Sequence, residues 1–278
     1  MPAIVFSHGN SFPASTYRIM LDRLRERGFA LHAIEKFGHD PAYPVTNNWP
    51  NLVRQLADFT RPIVDDATEP VFFVGHSLGG FLSLMCAATH PALAQGVVLL
   101  DSPLIGGWRA GTLGLIKRTP LMKSVSPGAV SRRRRNLWAH RDEVFEHFRA
   151  KKAFAGWDPQ VLHDYIDHGT FDAAEPRASD STAQEPRRAL SFAREVETNI
   201  YNTLPHNLGA LLRRHPLQCK AAFVGGLRSE ELKRAGLAMT RRIVGERIAM
   251  IDGTHLFPME KPLEAAAAVE TALRKLQE

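Results

Sequence analysis

The chain has 278 residues, 44% of them hydrophobic, with a formal net charge of +6 at pH 7, which suits one large α/β domain or a core with an inserted lobe. No apolar stretch reaches bilayer-spanning length, and Met1–Phe6 lacks the charge and length of a secretory signal, so a cytoplasmic protein with no integral membrane association is expected. Cys86 and Cys219 are too few for a disulfide framework and read as inert core thiols; with no P-loop, dinucleotide fingerprint or metal-ligand spacing, no cofactor is implied.

Ala3–Ser7 is a short apolar run ending at Ser7-His8-Gly9-Asn10, which reads as a strand entering a tight turn. A helix over Ser15–Arg27, a strand over Ala30–Ile34 and a helix over Asn51–Asp65 follow. The next strand, Val71–Gly75, stops abruptly at Gly75-His76-Ser77-Leu78-Gly79-Gly80. A strand that reverses at once into a helix holds its turn residue strained, so only small neighbours fit, and the Ser77 hydroxyl is left projecting over the sheet edge. Pro91 stops the following helix, Leu78–His90, and the strand Val97–Asp101 ends in a carboxylate.

Between Pro103 and about Pro205 the pattern changes. This stretch has no convincing strand, contains charged helical segments and is rich in aromatics, among them Trp108, Trp138, Phe148, Trp157 and Tyr165. It reads as a helical cap, 103–205, inserted in a core of residues 1–102 and 206–278, with Asp172–Arg188 as its polar loop. The run Arg132–Arg135 opens what reads as a surface helix continuing to Ala150. No stacking aromatics interleave with it, so it is expected to be a solvated face, and no nucleic-acid partner is implied. Beyond the cap come the helix His206–His215, the strand Lys220–Val224, the helix Glu230–Gly245, the strand Arg247–Ile251 and the helix Pro262–Gln277. This alternation predicts an α/β fold with a mostly parallel sheet covered on both faces.

Taken together, Ser7–Asn10, Gly75–Gly80 and Asp252-Gly253-Thr254-His255 resemble the α/β-hydrolase fold family over nearly the whole chain. The resemblance implies the chain order serine, acid, histidine, with Ser77 as nucleophile and His255 as base, and a cap inserted after the family's sixth strand. It also implies a sheet of about six strands lacking the family's first two. Such a sheet is either minimal or has an open edge that a second copy covers in a homodimer. The acid stays open between two residues, because the family takes it from the end of either the sixth or the seventh strand. Asp101 follows the sixth and is preferred; after the seventh, Gly226-Leu227-Arg228-Ser229 puts a serine where an aspartate is usual, and Glu230 stands one residue beyond. The oxyanion donors implied are the backbone N–H groups of Leu78 and Asn10, so the identity of their side chains should matter little. His8 and His76 read as structural.

A free serine hydroxyl is a poor nucleophile and needs such a base. The expectation is therefore a serine hydrolase of carboxylic esters, acting on a small-molecule substrate whose apolar portion meets the cap aromatics. Thioesters, lactones, carbon–carbon bonds and perhydrolysis use the same parts. Epoxide hydrolase and haloalkane dehalogenase readings fail, because those relatives attack with a carboxylate and position 77 is Ser77. A non-hydrolytic small-molecule receptor on the same fold is the alternative from another class.

Overall fold

The computed structural model describes residues 1–105, 127–173 and 187–278; Trp108 and residues 174–186 of the expected polar loop lie outside them. In chain order the strands are β1 (Ala3–Ser7), β2 (Ala30–Ala33), β3 (Val71–His76), β4 (Gly96–Leu100), β5 (Leu137–Trp138), β6 (Thr170–Ala173), β7 (Arg187–Leu190), β8 (Lys220–Gly226) and β9 (Ile248–Ile251). Six of them form the main sheet, in the order β2-β1-β3-β4-β8-β9, and every pairing is parallel.

β1, β3 and β4 are buried along their whole length, as strands covered on both faces must be. Successive residues face opposite layers. Ile4, Phe6, Phe72, Val74, Val98 and Leu100 share a core with helices Arg18–Glu26 and Pro262–Gln277. Ala3, Val5, Phe73, Val97 and Leu99 share another with helices Pro50–Asp66 and Leu78–Thr89. Each large aliphatic or aromatic side chain buried this way contributes about 1.5–3 kcal/mol. β2 is an edge, and no strand among the described residues pairs with its outer side. No helix among the described residues is long and apolar enough to cross a membrane.

The segment between β4 and β8 differs from its expected all-helical form. Besides helices Pro127–Arg133, Arg141–Arg149, Pro159–Gly169 and Arg194–Asn202, it carries a small antiparallel sheet in the order β5-β7-β6. β5 has two residues, and β6 and β7 are short polar stretches, too brief to show a period. The helix expected from Arg132 to Ala150 is two helices, with β5 between them. Arg132, Arg133 and Arg135 are exposed, but Arg134 turns inward, donating to Glu197 Oε2 at 3.0 Å and to the Tyr165 hydroxyl. The solvated-face reading therefore fails at Arg134. The expected helix Glu230–Gly245 is likewise broken, into Glu230–Ala235 and Ala238–Val244, by Gly236 at a φ of 74°. Several of the segment's described aromatics pack on one another: Trp157 lies 4.5 Å from Phe154, and Phe148 lies 5.1 Å from Tyr165, between ring centroids.

Candidate active site

Because the main strands are parallel, the loops that leave their C-terminal ends converge on one rim of the sheet, where ligands of such folds bind. At the end of β3, Ser77 has φ 51° and ψ −113°, a conformation that a residue with a side chain holds only where its surroundings force it. Close approach fixes its neighbours as glycines: a Cβ on Gly75 would lie 2.2 Å from Gly79 O, and one on Gly79 would lie 1.9 Å from Ser7 O. The Ser77 N–H donates to Leu100 O of β4 at 3.0 Å, which locks the turn against the next strand.

His255 lies after β9. Its Nδ1 is 2.8 Å from Asp101 Oδ1 and its Nε2 is 3.0 Å from Ser77 Oγ. A carboxylate only accepts, so Nδ1 carries the proton and Nε2 accepts from the serine hydroxyl. Asp101 is fully buried, at φ 37° just past β4, and takes further hydrogen bonds from Gly226 N–H (2.6 Å) and Ser229 Oγ–H (2.7 Å). Glu230 is placed elsewhere: its exposed carboxylate accepts from Lys233 at 2.7 Å, which lowers its pKa. Of the two acid candidates, Asp101 alone is joined to His255 in this way.

Asn10 sits in the turn after β1, where Phe12 N–H donates to Gly9 O at 3.2 Å and Ser11 takes a φ of 78°. Leu78 is the first residue of the helix after Ser77, so its N–H belongs to the first turn, whose N–H groups have no intrahelical acceptor. Contrary to the expectation that side chains count little here, the Asn10 amide donates to Glu197 O at 3.2 Å, tying this turn to helix Arg194–Asn202. These loops surround a cavity of about 550 Å³ bordered by Asn10, Phe12, Ser77, Tyr201, His255 and Leu256, with charges of both signs, Lys152 and Glu231 among them. Among the described residues no group of three His, Cys, Asp or Glu is placed to hold a metal ion.

Three residues given no role from the sequence complete the surroundings. The buried Tyr17 hydroxyl accepts from Gly9 N–H at 2.9 Å and donates to His76 Nδ1 at 2.7 Å, and His76 Nε2–H donates to His255 O at 2.9 Å. This line joins the three loops through groups that all stay neutral. Glu260 accepts from Thr254 N–H at 2.9 Å and from its hydroxyl, holding the loop that carries His255. Ser229, which bonds Asp101, stands where the resemblance leads one to look for an acid. His8 has the structural role expected, donating to Gly9 O at 2.7 Å and accepting from Phe37 N–H at 2.9 Å.

Burial holds the pKa of His8 down to about 4 and that of His76 down to about 3. Both fall below the unfolded value of 6.5, so the unfolded chain binds more protons in acid. Stability is full above pH 6.5 and falls as the pH drops towards 4 for His8 and 3 for His76. Denaturant titrations are expected to show a loss of about 1 kcal/mol per histidine at pH 5.5 relative to pH 7.5, about half of the total removed by His8→Gln and the rest left with His76. An unchanged midpoint between the two pH values would contradict this.

A family model described as the alpha/beta hydrolase family matches residues 4–269. An abhydrolase domain-containing protein from Alternaria alternata, ACTT2, is 34% identical over 232 residues, covering 71% of this chain and 80% of that protein. The type I acyl-CoA thioesterase mpaH of Penicillium brevicompactum is 26% identical over 234 residues, 77% of this chain and 51% of its own. Among solved structures, the peroxisomal alpha-beta-hydrolase Lpx1 of Saccharomyces cerevisiae superposes with a TM-score of 0.73 at 15% identity, over 100% of this chain and 77% of that one. At that identity the likeness speaks to the fold.

Proposed function

The chain belongs to the alpha/beta hydrolase family, and we propose that within it the protein is a serine hydrolase that cleaves carboxylic esters through an acyl-enzyme on Ser77. The observation that carries this reading is the hydrogen-bonded line from Ser77 Oγ through His255 to Asp101, at 3.0 Å and 2.8 Å. As Ser77 Oγ attacks the ester carbonyl carbon, His255 Nε2 takes its proton, and Asp101 stabilises the imidazolium. The backbone N–H groups of Leu78 and Asn10 receive the oxyanion. Collapse breaks the bond to the alcohol, which leaves with the proton from His255. Water then attacks the acyl carbon, giving a proton to His255; the acyl–Oγ bond breaks, the acid departs and Ser77 is reprotonated.

Residues 103–205 form the cap over this site in our reading, and 1–102 with 206–278 form the core. Phe12 and Leu256 border the cavity and would meet an apolar part of the substrate. A thioester suits the same machinery, and the similarity to a relative named as an acyl-CoA thioesterase favours it as the second reading.

A fluorophosphonate probe with peptide mass spectrometry tests the proposal. An adduct on Ser77 that disappears in Ser77→Ala is expected. No adduct on the native protein would defeat the enzyme reading and leave a non-hydrolytic receptor. Matched oxygen and sulfur esters of one acyl chain then separate the two substrate classes by kcat/KM.

A further inference from the structure

We propose that Ser229 is a positioning residue for this reaction: its hydroxyl holds the Asp101 carboxylate in the orientation that engages His255. The inference rests on the serine-hydrolase reading above. Ser229 is only 1% exposed, and its Oγ accepts from Leu232 N–H at 3.1 Å as the cap of helix Glu230–Ala235. With that acceptor role filled, the hydroxyl hydrogen is left to be donated to Asp101 Oδ1, 2.7 Å away. The same carboxylate oxygen takes His255 Nδ1–H at 2.8 Å, while the other oxygen takes Gly226 N–H at 2.6 Å.

The two oxygens of Asp101 are thus held by different donors, both from the end of β8, although Asp101 itself follows β4. Rotation about Cβ–Cγ would break both hydrogen bonds at once. Without the Ser229 hydroxyl, Oδ1 keeps His255 as its remaining donor among these, and the carboxylate plane is free to swing on the Gly226 bond. The imidazole then loses its fixed aim at Ser77 Oγ, an effect felt in the rate of attack rather than in substrate binding. A serine at 229 thereby supports an acid supplied from the neighbouring strand.

Ser229→Ala and Ser229→Gly are made alone and in Asp101→Asn, and kcat and KM are measured on a chromogenic short-chain ester, with Tm alongside. Glycine retains most of the capping stability that alanine loses, within a few tenths of a kcal/mol, so it isolates the hydroxyl from the helix cap. Both single variants are expected to lower kcat about 10-fold to 100-fold with KM within about twofold, the range typical when the partner that orients an active-site ligand is removed. In the Asp101→Asn background neither should lower kcat further, because the two residues act as one unit. Wild-type turnover in Ser229→Gly while Asp101→Asn collapses would overturn the inference and leave the reading standing. Equal fold-losses in both backgrounds would overturn it too, as damage to the helix alone. Wild-type turnover in Asp101→Asn would instead overturn the assignment of the acid on which it depends.

Discussion

Asp101→Asn is expected to lower kcat about 10⁴-fold with the fold intact, while Glu230→Gln stays within about twofold of the parent. The carboxylate faces three donors, from His255 Nδ1, Ser229 Oγ and Gly226 N. An asparagine has one acceptor oxygen and an NH₂ group, so it cannot satisfy all three. If its oxygen keeps the Gly226 N–H, its NH₂ faces His255 Nδ1 and drives the imidazole to the other tautomer. Nε2 then carries a proton and cannot take one from Ser77. Glu230, by contrast, is 62% exposed at its side chain and paired with Lys233 on its own helix, an interaction screened by solvent. Steady-state hydrolysis of a chromogenic ester, with circular dichroism as a control for folding, decides between them. A collapse of Glu230→Gln alongside near-normal turnover of Asp101→Asn would move the acid to the end of β8.

The serine and the histidine were legible because each is marked by local rules. Ser77 sits between an apolar run and a helix with glycines where no Cβ fits, and His255 follows the last strand on a glycine-containing loop. The acid was not, because its choice depends on sheet register. Leu100 pairs with Val224 across β4 and β8, so Asp101 comes alongside the end of β8, where Gly226 and Ser229 can reach it. Nothing local to Val97–Asp101 encodes that meeting. The Tyr17–His76 line was hidden for the same reason: Tyr17 is 59 residues from His76 in sequence, and only tertiary packing joins them. The small sheet of the inserted segment failed differently, since two residues of β5 carry no period to read.

Arg134 shows how four like residues in a row part company, and Arg134→Ala should destabilise the protein by about 3–5 kcal/mol where Arg133→Ala costs less than about 0.5 kcal/mol. The side chains of Arg134 and Glu197 are only 12% and 7% exposed, with Nη1 and Oε2 3.0 Å apart. Arg134 also donates to the buried Tyr165 hydroxyl and lies over the Phe148 ring, 5.6 Å from its centroid. Truncating it leaves the buried Glu197 carboxylate without its hydrogen-bonded cation to offset its lost hydration. Replacing both, as Arg134→Met with Glu197→Leu, removes the stranded charge and should recover more than half of that loss, a coupling that a double-mutant cycle in urea measures. The loss should also reach the chemistry. Glu197 O is the acceptor for the Asn10 amide, so loosening helix Arg194–Asn202 frees the turn whose backbone N–H is assigned to the oxyanion. A fall in kcat is therefore expected in Arg134→Ala even below its unfolding temperature. Equal costs at positions 133 and 134 would return the whole run to a solvated face and cut this link between the inserted segment and the site.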